Sequence, residues 1–161
     1  MNVAVITISD KGAAGKRKDE SGPVVCDIIK KAGWEVAYYN IVPDEKQEIK
    51  EQLLQLSNKV DLILTTGGTG LSPRDVTPEA TKEVIEMEIP GIPELMRFSG
   101  YNITKQACLS RAVAGAKGQC LIINLPGSPK AAKENLLAVI DVIPHAIEKL
   151  KGLESDCAQP L

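Results

Sequence analysis

The segment Thr66-Gly67-Gly68-Thr69-Gly70 is followed by Leu71-Ser72-Pro73-Arg74-Asp75. Glycines let consecutive backbone N–H groups curl around an anion, because no Cβ blocks the approach or forbids positive φ. Thr69 and Ser72 add hydroxyl donors. A carboxylate beside clustered phosphates is repulsive unless a divalent cation stands between them. Mg²⁺ characteristically takes one or two carboxylates together with phosphate oxygens. Asp75 and Asp44 are the candidates for that metal role. Asp44 is equally well explained as a helix N-cap, and Arg74 fits either a phosphate or a surface carboxylate. The alternative for the whole loop is a plain strand-to-helix connection. Neither familiar nucleotide motif is present: no Lys follows the glycines, and Leu71-Ser72-Pro73 breaks the G-x-G-x-x-G pattern.

Three further clusters could join this loop. Ser9-Asp10 lies near the N-terminus. Pro126-Gly127-Ser128 repeats the glycine logic, with Lys130 either adding charge or simply solvated. Ser110-Arg111 is an isolated polar pair; Arg111 suits a phosphate, a polar ring edge or a structural role. The basic run at 16–18, centred on Arg17, reads as a solvated loop face or as a contact to a nucleotide phosphate. His145, the sole histidine, is assigned a helix-surface or partly buried structural place. Cys26, Cys108, Cys120 and Cys157 show no metal-binding spacing and no histidine partner, so Cys/His nucleophilic catalysis has no support. Cys26 and Cys120 sit in apolar runs and are expected to be small buried hydrophobes.

The elements that must position these groups follow from periodicity. Residues 3–8 form a near-continuous β-branched run, the sign of a strand buried on both faces. A polar loop leads to a helix over 23–32 that Gly33 ends. Residues 34–42 form a second strand. Asp44 opens a helix with Gln47 in capping-box position and Ile49, Leu53, Leu54 and Leu56 as its buried stripe. A third strand covers 61–66. Thr77 and Pro78 are expected as N-cap and first residue of the next helix. Gly91 and Pro93 break it before a helix at 94–101. Residues 111–125 read as two strands joined near Lys117 and Gly118. Ser128 and Pro129 open the last helix, which Pro144 kinks or splits. Strands alternating with helices imply an α/β fold, a three-layer α/β/α sandwich around a mostly parallel sheet. In such sheets ligands bind beyond the carboxyl ends of the strands, where the polar clusters fall. One domain over 1–152 is expected, with a flexible tail at 153–161.

Bulk properties narrow the class. The 161 residues carry a net charge of −2, so no global basic field draws the chain to nucleic acid or anionic lipid. One Phe, one Trp and three Tyr leave little for a base-stacking surface. No stretch is long enough to cross a membrane, and the N-terminus lacks a signal peptide's basic region. A cytoplasmic setting is the economical reading of the cysteine usage.

The linked motifs TISD, TTGGTG, RDVTPEAT, LSRAVAG and NLPGSPK, in this order over about residues 1–152, resemble the molybdenum-cofactor biosynthesis family. The intact Arg74-Asp75-Val76-Thr77-Pro78 segment resembles its catalytic MogA branch, also seen as the G domain of gephyrin, more than the MoaB branch. The resemblance implies a homotrimer and a Mg²⁺-dependent nucleotidyl transfer, from ATP to molybdopterin with release of pyrophosphate. It places phosphates on Gly67, Gly68, Thr69 and Gly70, beside the acidic pair Asp44 and Asp75. It puts Ser110, Arg111, Asn124, Pro126, Gly127 and Ser128 at the pterin. A downstream molybdenum-inserting enzyme is an expected partner. The alternatives are a non-catalytic pterin-binding or scaffold module on the same fold and a general nucleotide-binding regulator.

Overall fold

The structure is a computed structural model that describes residues 1–153; most of the tail expected at 153–161 lies outside the described residues. In chain order the elements are β1 (Asn2–Ile8), α1 (Asp10–Ala13), α2 (Ser21–Lys31), β2 (Glu35–Val42), α3 (Lys46–Ser57), β3 (Leu62–Thr66), α4 (Thr77–Lys82), β4 (Met87–Glu88), α5 (Gly91–Tyr101), β5 (Ala114–Lys117), β6 (Cys120–Leu125), α6 (Pro129–Val139) and α7 (Ile143–Leu150). Short 3₁₀ turns at Lys105–Leu109 and Ile140–Val142 complete the path.

One six-stranded sheet runs in the order β2-β1-β3-β6-β5-β4. β2, β1, β3 and β6 are parallel; β5 runs antiparallel to β6, and β4 antiparallel to β5. The central strands are apolar on both faces because helices cover both. On one side Val3, Val5, Leu64 and Ile123 pack with Ile29 of α2, Met96 of α5, Leu136 of α6 and Ile147 of α7. On the other, Ala4, Ile6, Ile63 and Ile122 meet Ile49 and Leu53 of α3 and Ala80 of α4. This is the expected α/β/α sandwich.

β2 departs from regular pairing at one point. Val3 pairs with Val36 but Ala4 with Tyr38, so Ala37 is an extra residue. Beyond this bulge the strand exchanges its faces. Tyr39 joins the α2 side and Val42 the α3 side.

Several expected boundaries moved. α3 begins after Glu45 with no side-chain cap, so Asp44 is not an N-cap. Leu54 is exposed, outside the α3 stripe. α4 has Val76 at its N-cap, and Thr77 is its first residue. Helix α5 starts at Gly91, earlier than expected. The last helical stretch does split, with Pro144 in the first turn of α7, where its missing N–H costs no bond. Cys120 is buried as expected, whereas Cys26 is only partly covered. His145 is exposed on α7.

Candidate functional site

The parallel strands β1, β3 and β6 end together, and the loops after them converge. Thr66 ends β3 buried, and its hydroxyl donates to Pro126 O at 2.7 Å, tying the β3 loop to the β6 loop. Gly67 has φ +110 and Gly68 φ +63, both unfavourable for other residues. A Cβ on Gly67 would collide with Ile8 O, and one on Gly127 would lie 3.2 Å from Gly67 Cα. Glycine is therefore required where three backbones touch. Thr77 holds the turn from below, donating its hydroxyl to Gly67 O at 2.9 Å while its amide donates to Gly68 O.

This arrangement leaves donors unused. Among the described residues, the amides of Gly68, Thr69, Gly70, Gly127 and Ser128 have no protein acceptor. Ser128 caps α6 through its Oγ, which accepts from Ala131 N at 3.2 Å. The α6 N-terminus thus adds partial positive charge beside the same rim.

Two clefts meet here. The narrower, of about 380 Å³, is lined by Thr7, Ser9, Arg17, Lys18, Asp19 and Ser21, together with Asp44 and Thr66. The wider, of about 620 Å³, has apolar walls from Leu71, Ala107, Leu109, Pro126 and Ala131, with Ser110 at one side. Gly68, Asp75, Gly127 and Ser128 line both. The shared wall therefore carries the free amides of Gly68, Gly127 and Ser128 with one carboxylate, while those of Thr69 and Gly70 face the wider cleft.

Asp75 accepts from Ser72 N at 2.9 Å through Oδ2. Asp44 stands on the other side of the glycine turn, its Oδ1 3.2 Å from where a Gly68 Cβ would be. Burial pushes the Asp44 carboxyl above its ordinary range, and the negative charges of Asp10 and Asp75 add to this, against the hydrogen bond from Asp10. A site crowded with negative charge has use for a cation. No group of three or more metal-ligating side chains exists among the described residues. Two carboxylates in one cleft beside free amides are nevertheless a fitting donor set for Mg²⁺, which takes few protein ligands.

Asp10 and Asp44 are paired by reciprocal backbone contacts. Asp10 N donates to Asp44 Oδ2 at 2.9 Å, and Asp44 N donates to Asp10 Oδ1 at 3.0 Å. Arg74 clamps the pair, donating to both Asp10 oxygens at 3.1 and 3.0 Å and to Glu45 Oε1 at 2.7 Å. The Arg74 bond, more than any other effect, holds the Asp10 carboxyl below its usual range. Of the two roles open to Arg74, the surface carboxylates take it. Asp10 itself lines neither cleft. Ser9 does, although its Oγ accepts from Gly12 N at the start of α1.

Asn124 and Arg111 spend their polar groups on bracing the fold. Asn124 is fully buried; its Oδ1 accepts from Val113 N, and its Nδ2 donates to the hydroxyls of Thr65 and Thr81. Arg111 donates to Gly70 O at 2.7 Å and Asp75 O at 2.5 Å and pairs with Glu79. It fixes the glycine loop from behind and lines neither cleft. Lys130 pairs loosely with Glu134 at 3.9 Å.

Asp19 is the residue that sequence reasoning missed. It accepts from Thr7 Oγ1 and Tyr39 OH, each at 2.5 Å, and from the amides of Ser21 and Gly22. Burial raises its carboxyl, but the donated bonds outweigh this and leave it below the usual range. A carboxylate two residues before Ser21-Gly22-Pro23, at a helix start, was the available signal.

Known proteins resemble the chain over most of its length. The molybdopterin adenylyltransferase of Helicobacter pylori is 38% identical over 156 residues, covering 94% of this chain and 89% of that protein. Gephyrin of Dictyostelium discoideum is 44% identical over 156 residues, covering 90% of this chain but 22% of its own length. The crystal structure of the molybdopterin biosynthesis enzyme MoaB from Thermus thermophilus superposes with a TM-score of 0.89 at 49% identity, covering 94% of this chain and 96% of that one. Residues 4–145 match the family model described as a probable molybdopterin binding domain, and the chain belongs to that molybdenum-cofactor biosynthesis family.

Proposed function

We propose that this protein is a molybdopterin adenylyltransferase, transferring AMP from ATP to the terminal phosphate of molybdopterin and releasing pyrophosphate. The observation that carries the reading is the row of free amides at Gly68, Thr69, Gly70, Gly127 and Ser128, set where two clefts meet. Two phosphorylated substrates brought end to end need such a place. The narrower, polar cleft with Arg17 and Lys18 suits the nucleotide. The wider, apolar-walled cleft suits a flat heterocycle.

The terminal phosphate of molybdopterin is already a nucleophile at neutral pH. One of its oxygens bonds to the α-phosphorus of ATP as the bond from that phosphorus to the β-phosphate bridge oxygen breaks. The chain's contribution is alignment and relief of charge repulsion, not proton abstraction. Preorganised amides stabilise the charge that develops on the transferring phosphoryl oxygens. Asp44 and Asp75 would hold Mg²⁺, which when bound neutralises phosphate charge and helps pyrophosphate leave. Arg74 and Asp10 keep Asp44 in place, and Arg111 keeps the Gly70–Asp75 turn closed.

We read the protein as a cytoplasmic homotrimer. The exposed apolar side chains Leu95, Phe98 and Tyr101 on α5 favour self-association, and no helix among the described residues is long and apolar enough to cross a membrane. The product must pass to a molybdenum-inserting partner. The test is adenylyl transfer itself. Purified protein with molybdopterin, ATP and Mg²⁺ should yield the adenylylated pterin by mass. Asp75→Asn should lower turnover by about 10²-fold or more while pterin binding persists. Unchanged turnover in that variant would refute the role given to Asp75, and product absent from the unaltered protein would refute the activity.

A further inference from the structure

The phosphate-binding rim explains how two anions meet but not how the wider cleft recognises its heterocycle. Among the described residues its ionisable lining is Asp75, at the junction, and Glu134, on α6, and no Lys, Arg or His lines it. Asn135, next to Glu134, lines it as well. Asn135 is 8% exposed, and its Nδ2 donates to Ala131 O at 2.8 Å. Its Oδ1 then has no donor among the described residues. A buried amide oxygen without a donor is costly and uncommon. Among the described residues the Glu134 carboxylate has one ion-pair partner, Lys130 at 3.9 Å, whose side chain is 78% exposed. That separation is too long for a hydrogen bond and the pair too exposed to engage the carboxylate. This stretch of α6 therefore presents acceptors only, opposite the apolar walls of Leu71 and Leu109.

A wall of acceptors is complementary to a heterocycle edge made of adjacent N–H donors. A 2-amino-4-oxopyrimidine ring has this edge in its N3–H and 2-amino group, and an ionised carboxylate binds the two together. Adenine offers an acceptor, N1, next to its amino group, and a carboxylate repels that lone pair. We propose that Glu134, with Asn135 beside it, reads the 2-amino-4-oxopyrimidine edge of the pterin and excludes adenine from this cleft. The inference rests on the adenylyltransferase reading and adds what tells the two substrates apart. It makes Glu134 a specificity-determining residue, remote from the phosphorus chemistry.

The test uses the full chain and two probes, 6-hydroxymethylpterin and its 2-oxo analogue 6-hydroxymethyllumazine, titrated by fluorescence. The unaltered protein should prefer the pterin by roughly 10²-fold or more, because a site built around a donor rejects the analogue lacking it. Glu134→Gln should weaken pterin binding by about 10–100-fold and reduce that preference to less than about 10-fold. The same variant should raise KM for molybdopterin while keeping kcat, ATP affinity and Tm. A Glu134→Gln protein that binds and discriminates like the unaltered one overturns the inference, as does an unaltered protein that binds both probes equally. Those results leave the adenylyltransferase reading standing. Failure of the unaltered protein to bind any pterin, molybdopterin included, overturns both.

Discussion

Gly68→Ala tests whether the glycine turn is a fixed scaffold. Gly68 has φ +63, and an L-residue there costs about 1–2 kcal/mol from Cβ contacts with its own backbone. The new methyl would also collide with Thr77 Oγ1, which donates to Gly67 O at 2.9 Å inside the protein. Displacing that hydroxyl leaves a buried carbonyl unsatisfied, at about 1–3 kcal/mol. The total is about 2–5 kcal/mol, which for a domain of this size lowers Tm by about 10 °C. Gly33→Ala is the internal control. Gly33 has φ +77 with nothing within 4 Å of its Cβ position, so only the backbone penalty of about 1–2 kcal/mol applies. Thermal and urea unfolding measure both variants. In a Thr77→Ala background, Gly68→Ala should cost no more than Gly33→Ala, because the obstruction is gone. The methyl also stands 3.2 Å from Asp44 Oδ1, so adenylyl transfer should fall more than the folded fraction does. A Gly68→Ala protein as stable as Gly33→Ala and fully active would refute the account of the turn.

Other perturbations separate braces from ligands. Asn124→Ala strands Val113 N and the hydroxyls of Thr65 and Thr81, and should destabilise by about 2–4 kcal/mol with KM unchanged in the folded protein; a changed KM at native stability would return Asn124 to the ligand. Asp19 has a folded pKa below its ordinary 3.8, so its stabilisation is complete above about pH 4 and is lost as pH falls through the folded value. Urea unfolding from pH 7 to 3 should show Asp19→Asn converging on the unaltered protein at the acid end, and a constant gap would contradict this. Burial first, then the bond to Asp19, pushes the Tyr39 hydroxyl up to about 12, so its share of the ultraviolet titration should come last and vanish in Tyr39→Phe. The stability it contributes is complete below its ordinary pKa of 10 and lost as pH rises through the folded value. Arg74→Gln frees Asp10 and Glu45 and should raise the Mg²⁺ concentration needed for half-maximal turnover, with Arg74→Lys intermediate because it lacks the two-pronged guanidinium; an unaltered metal requirement would remove Arg74 from the positioning of Asp44.

The parts legible in the sequence were those whose signal is local. β1, β3 and β6 are mostly apolar, β-branched or leucine-rich runs, and Ser128-Pro129 caps its helix as written. The glycine turn was legible because positive φ and close backbone approach demand that residue type. Elements of a single turn or a few residues, such as α1, β4 and the 3₁₀ turn at Lys105–Leu109, carry no period to detect. Asn124 and Arg111 show a different limit. A polar residue beside a binding loop looks the same in sequence whether it faces the ligand or holds the loop from behind. Only the partners decide, and Thr65, Thr81 and Glu79 lie far from them along the chain. Asp44 shows the converse, since its cap reading failed while the structure left it at the cleft. Asp19 was hidden in a charged run that reads as solvated, and the tyrosine that buries it comes from another strand.

The extra residue at Ala37 sets which tyrosine reaches Asp19. With regular alternation Tyr38 would lie on the α2 side, and Tyr39 would point toward α3. Val42 would be turned away from Ile49 and Leu53, its companions in the core. A single inserted position thus lets the outer strand supply a phenol at its middle to Asp19, on the wall of the narrower cleft, and a hydrophobe to the opposite layer at its end. Removing Ala37 would exchange these assignments along the rest of the strand, and the error would arrive at the cleft without any cleft residue having been altered. The same kink breaks the straight row of free amides and carbonyls along the sheet's margin, which makes it a poor template for another sheet to zip onto.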